Sequence, residues 1–250
     1  MLINILITSL LLFTHIAYGD EAEEKTLPSP WDNEIEFGYQ SESGNNSSQS
    51  LNSRLELNYT SGQVRNSGEL KYASKEDEGI EKKNQIVLEL QSDYKISSDY
   101  YLYANLHGMD SKYTAYYKDF TFSSGLGYQL SNTKTLVIEL EAGPGYRYQE
   151  PNLDELDDDD LIFPDVVEEA IFRGNVHLQW KMFDSLELEA DMTVVTGHSN
   201  TRLDTEFSLI NNLTEHTALK FSQSREMLDR VPPGLEKVDR VSSITLLIHL

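Results

Sequence analysis

The chain has 250 residues, a formal net charge of −22 and no cysteine. That length suits one domain. The missing cysteines exclude disulfides, thiolate metal sites and a lipoprotein anchor, and the acidity argues against a nucleic-acid partner, because phosphate contacts need clustered Lys and Arg.

Residues Leu2 to Ala17 form a dense apolar run that ends in the small-x-small box Ala17-Tyr18-Gly19. This is the pattern of a secretory signal peptide, residues 1–19, cleaved after Gly19. No Lys or Arg precedes the apolar run, so a retained anchor is the competing reading. Residues 20–30 are charged, contain proline and lack periodicity, which predicts a flexible periplasmic lead-in. No later stretch reaches the ~18 apolar residues of a spanning helix.

From Trp31 to Leu250 hydrophobicity alternates residue by residue, so each segment has one oily and one charged face. The first strand, Trp31–Gln40, sets Ile35, Phe37 and Tyr39 against Glu34 and Glu36. Leu51–Tyr59 sets Leu55 and Leu57 against Arg54 and Glu56, and Val64–Ala73 sets Leu70 and Tyr72 against Arg65, Glu69 and Lys71. Asn84–Tyr94 opposes Ile86, Leu88 and Leu90 to Glu89, Gln91 and Asp93. Tyr100–Met109 is less clean, with Leu102 and Leu106 opposite Tyr101, Tyr103 and His107. Lys118–Tyr128 and Thr135–Tyr148 follow, the latter with Ile138 and Leu140 opposite Glu139, Glu141 and Arg147. Ala170–Met182 turns Phe172, Val176 and Trp180 away from Arg173, His177 and Lys181. Leu186–Val195 carries Glu187, Glu189 and Asp191 on its wet face, and Thr201–Leu209 carries Arg202, Asp204 and Glu206. Thr217–Gln223 and Val238–Leu250 complete the series.

About twelve strands of crossing length result, an even number, as in single-chain bacterial barrels. The connections alternate long and short: the Ser43–Asn46 region is long and Ser61-Gly62 short, Lys75–Lys82 long and Lys95–Asp99 short, Gln149–Glu169 longest and Phe183–Ser185 tight. Gly197–Asn200 departs from that beat. Aromatics collect at both strand ends: Tyr39, Tyr72 and Tyr146 towards the long loops, and Trp31, Tyr59, Tyr94, Tyr128 and Trp180 towards the short turns. These are the girdles of a membrane barrel. The expected fold is therefore all-β: a single up-and-down antiparallel transmembrane barrel spanning residues 31–250, in the outer membrane of a Gram-negative envelope with both termini periplasmic.

The pieces Gly44-Asn45, Gly125-Leu126-Gly127-Tyr128 and Gly143-Pro144-Gly145-Tyr146-Arg147, with Asp110, Pro233 and Asp239, carry a family likeness. On them the chain resembles the salt-induced outer-membrane protein family, long classed as a domain of unknown function. The resemblance implies an outer-membrane β-barrel from about Trp31 to Leu250 and supplies no activity.

The candidate functional residues are the ionic ones expected to line the lumen: Glu36, Arg54, Glu69, Glu89, Glu141, Arg147, Arg173, Glu189, Arg202 and Glu206. A barrel of this size has a narrow interior. Acids and bases can pair across it and plug it, or the excess acid can leave a cation-preferring path. Gly125, Gly127, Gly143 and Gly145 point inward and leave room for a large side chain, an inserted loop or strand bending. The acidic run Asp157–Asp160 lacks the spacing of a calcium loop and reads as solvated. His198-Ser199 reads as a turn, though a barrel enzyme acting on lipid or peptide would need such a pair. A soluble periplasmic barrel that binds an apolar ligand stays open as well. It requires the oily face inside. No cofactor, catalytic residue or metal site is expected. The expected partners are outer-membrane lipid and the barrel-assembly machinery, with the protein itself a monomer.

Overall fold

The computed structural model describes residues 29–42, 48–112, 114, 116–151, 166–231 and 237–250. The predicted signal peptide, most of the lead-in and the Asp157–Asp160 run lie outside the described residues. Twelve strands follow one another: β1 (Trp31–Glu42), β2 (Ser48–Ser61), β3 (Val64–Asp77), β4 (Ile80–Lys95), β5 (Tyr100–Ser111), β6 (Tyr116–Asn132), β7 (Leu136–Pro151), β8 (Val167–Phe183), β9 (Leu186–Thr196), β10 (Thr201–Asn212), β11 (Thr217–Leu228) and β12 (Val238–His249). Each pairs antiparallel with its sequence neighbours, and β1 pairs with β12, so the sheet closes on itself. Closure leaves no free edge along a lipid-facing wall, where an unpaired backbone group is costly.

Alternation decides which way the wall faces. On β7, Leu140 is 37% exposed while Glu139 and Glu141 are buried; on β12, Leu246 is exposed while Thr245 and Leu247 are buried. Phe37, Phe122, Leu126, Phe172, Phe207 and Ile244 stand on the outside, and Asp93, Asp119, Arg147, Arg173, Arg202 and Lys220 are buried within. A water-soluble barrel reverses this distribution, so the wall suits acyl chains, and a lumen for an apolar ligand is contradicted. Girdle rings pair at the short-turn rim: Trp31 with Tyr59 at 4.8 Å, and Tyr100 with Tyr128 at 4.9 Å. Inside that rim, Ile210, Ala218 and Leu247 form a small buried apolar cluster.

Two expectations about local structure need correction. Most strands run further towards the long-loop rim than alternation indicates. Beyond the lipid both faces are wet, so the sequence pattern stops while backbone pairing continues. The predicted Lys75–Lys82 loop is the clearest case: β3 and β4 pair out to Asp77 and Ile80 across a bulge, and only Glu78 and Gly79 turn, with φ of 52° and 78°. Likewise, the ends of the predicted Gln149–Glu169 loop belong to β7 and β8.

The inward glycines have a steric cause. A Cβ on Gly127 would sit 2.1 Å from the Tyr101 ring, so the hollow receives that aromatic side chain. Gly125 and Gly143 face each other so closely that a Cβ on either would strike the opposing backbone carbonyl at 2.2 or 2.1 Å. The β6–β7 register has no pairs between Ser123↔Gly145 and Leu126↔Ala142, beside Pro144, which has no N–H to donate.

Candidate functional site

Ionic chords between strands that are not neighbours cross the lumen at successive heights. Nearest the short turns, Arg65 on β3 reaches Glu139 on β7 at 2.8 and 2.9 Å, passing over β4, β5 and β6. Its Nε also donates to Asp93 at 2.7 Å. At mid-height, Arg54 on β2 donates to Glu206 on β10 at 2.9 Å, and Lys71 on β3 donates to the other oxygen of Glu206 at 3.0 Å. Nearest the long loops, Arg202 on β10 meets Asp119 on β6 at 2.5 Å.

Each chord is embedded in a wider network. Arg54 also pairs with Glu69, Glu56 and Glu36. Lys220 donates to Glu36 at 2.7 Å and lies 4.0 Å from Glu189, and the Thr245 hydroxyl donates to the second Glu36 oxygen at 3.1 Å. Around the lower chord, Tyr101 donates to Glu141 at 2.9 Å, Arg173 donates to Glu141 at 2.7 Å, and Asn105 donates to Glu89 at 2.8 Å. The rings of Tyr101 and Tyr103 sit under Arg65 and Arg173 at 5.4 Å, a favourable face for a guanidinium. At the upper rim the fully buried Arg147 pairs with Glu169 and donates to the Asn200 carbonyl at 3.0 Å. Glu169 also accepts the amides of His198 and Ser199 at 2.8 and 2.9 Å and the Ser199 hydroxyl at 2.6 Å. It thereby clamps the β9–β10 turn onto the barrel.

The candidates thus fall into three groups. Glu36, Arg54, Glu69, Glu189 and Glu206 meet at mid-height; Glu89, Glu141 and Arg173 join the lower network; Arg147 and Arg202 belong to the upper rim, in separate pairs. Sequence reasoning left out Asp119, Glu169, Tyr101 and Asn200. Glu169 stands next to Glu168, outside the predicted Ala170–Met182 strand, and Asp119 lies at the end of Lys118–Tyr128 beside a second charged residue. Ser199 is a hydrogen-bond donor in a turn, serving Glu169. Among the described residues no group of three or more His, Asp or Glu is placed to hold a metal ion.

A cavity of ≈ 160 Å³ lies against the middle chord, lined by Glu36, Arg54, Lys71, Lys83, Glu206 and Ser224. Lys83 and Ser224 sit closer to the long-loop rim, so this space forms a vestibule above the chord, lined by Val87 and Val241 as well as by the ionic groups. Its walls can exchange the hydration shell of a small ion for hydroxyls and carboxylates. Among the described inward-facing side chains, carboxylates outnumber cationic groups.

The family model described as "Protein of unknown function, DUF481" matches residues 35–249. No curated protein matches the chain. Among solved structures, an outer membrane channel from Pseudomonas putida F1 superimposes with a TM-score of 0.52 at 9% identity, covering 93% of this chain and 100% of the other. The NanC porin gives 0.48 at 12% identity, covering 87% and 97%. At such identity the likeness to the Pseudomonas channel is one of fold.

Proposed function

We propose, for a chain that belongs to this DUF481 family, the role of a narrow, cation-preferring barrel of the outer membrane, constricted by its own ion pairs. The oily outer wall and the girdles support residence in a bilayer, and the long-loop rim is read as the outer surface, with both termini periplasmic. The observation that carries the reading is the middle chord. Arg54, Lys71 and Glu206 narrow the path at mid-height while a vestibule opens above them. The barrel works as a monomer in lipid, inserted by the assembly machinery, and needs no cofactor.

Planar-bilayer recording tests this. Wild-type protein is expected to give small cation-selective steps. Arg54→Ala with Lys71→Ala removes both donors of the chord and is expected to raise conductance severalfold and sharpen cation preference. Silence of both proteins, with heat-modifiable gel migration showing folded barrels, would remove the pore from the reading. The salt response implied by the family resemblance concerns expression, and transcript levels across an ionic-strength series test it separately.

A further inference from the structure

The oily outer wall is interrupted by a pair of arginines that the lumen does not explain. Arg225 on β11 and Arg240 on β12 are register partners, directly opposite each other, and both side chains are exposed. They alternate with the lumen-facing Ser224, Glu226 and Val241 and so stand on the outside. Like charges in such positions repel. Neither side chain makes an ion pair among the described residues: the Arg225 guanidinium approaches only the Met227 sulfur, at 3.8 Å, and Arg240 has no side-chain partner there. Another outward cation at this rim, Lys118, behaves differently. Lys118 donates to Glu150, its cross-strand partner, at 2.9 Å. In a chain of net charge −22, two adjacent unpaired arginines on the membrane-facing side call for an anion from outside the protein.

The surface beside them has a matching shape. A depression of ≈ 580 Å³ runs from Arg240 and Arg225 past Gln223 and Thr205 to an apolar floor that includes Met192 and Val176; Asp191 and Glu206 also line it, their carboxylates engaged by His177 and Arg54. Its charged end lies near the long-loop rim: Arg225 is three residues from the end of β11 and Arg240 two from the start of β12. Its apolar end descends towards mid-strand on β8 and β9. A ligand that fits has anionic oxygens at the membrane surface and hydrocarbon below them.

We propose that this groove is a docking site for the phosphorylated, acylated glycolipid of the outer leaflet, the lipid A part of lipopolysaccharide. Arg225 and Arg240 straddle one phosphate, Gln223 and Thr205 supply neutral polar contacts, and one acyl chain lies over Met192 and Val176. Two guanidiniums suit a phosphate because each offers paired N–H donors to its oxygens. The site rests on the outer-membrane reading, which fixes the long-loop rim outward.

The experiment measures retention of lipid A by the full-length protein. Bisphosphorylated lipid A and its dephosphorylated form are titrated into protein held in detergent micelles, with native mass spectrometry as the readout. Wild-type protein is expected to retain the bisphosphorylated form at least tenfold better than the dephosphorylated one. Arg225→Gln with Arg240→Gln is expected to abolish that difference, and Lys118→Gln to leave it intact. Heat-modifiable migration verifies that each variant is folded. Equal retention by wild type and the double variant would overturn the site, as would competition by millimolar inorganic phosphate as effective as that by lipid A. Membrane fractionation separates the two readings: a protein found outside the outer membrane defeats the localisation itself, whereas outer-membrane protein without phosphate-dependent retention defeats the site alone.

Discussion

At the scale of single residues, burial decides which ion pairs matter. Arg147 is fully buried and Glu169 retains 13% side-chain exposure, whereas Lys118 and Glu150 are 37% and 38% exposed. Removing one partner of a buried pair leaves a charge stranded, at a cost of about 3–5 kcal/mol, while exposed pairs contribute ~0–1 kcal/mol. Glu169→Gln is therefore expected to lower the urea midpoint of the folded barrel far more than Lys118→Ala, and to loosen the Gly197–Asn200 turn. Equal small losses from both would show that the clamp carries little stability. Glu169 also marks a limit of sequence reading. It follows Glu168 directly, and two adjacent acids give no sign that one faces oil or solvent and the other a buried arginine.

At the scale of elements, the β3–β4 hairpin shows how strands outrun the alternation of their sequence. Asp77–Ile80 pair across a two-residue turn with positive φ at both Glu78 and Gly79. Glycine adopts that backbone freely, but glutamate does not; Asn-Gly is the favoured pair for a two-residue hairpin loop with both φ positive. Glu78→Asn is expected to stabilise the barrel by about 0.5–1 kcal/mol, a part of the left-handed penalty, read as a higher unfolding midpoint. No change or a fall would mean that the turn is held by contacts other than its own backbone. The strand centres, by contrast, are legible: Leu186–Val195 falls within β9, and Thr135–Tyr148 overlaps β7 in all but its first residue, because lipid on one side and ions on the other enforce alternation at every step.

At the scale of the whole molecule, the wall separates two solvents. Leu106, in mid-β5, is 40% exposed on the outer face, and Asn105 beside it is buried in the lumen. Leu106→Arg is expected to cost about 2–4 kcal/mol in lipid, as charges do near the centre of a barrel's outer wall. The measurement is reversible unfolding from phospholipid vesicles. A cost near zero would place lipid elsewhere. Closure is uneven as well: β1 and β12 share register only from Glu34↔His249 to Phe37↔Leu246, while β1 and β2 pair along the whole of β1.

The amino-acid sequence by itself determined the class of fold, the number of strands and which face of each is oily, because the two-residue period of a strand writes its surroundings directly into the order of residues. It also nominated the ionic residues of the interior. The choice of partners across the lumen came only with the tertiary structure. Arg54 and Glu206 are separated by 152 positions along the chain and Arg202 and Asp119 by 83, and no local pattern encodes a chord between strands that never pair. Barrel closure alone sets those distances, and with them whether the interior is an open pore or one crossed by ion pairs.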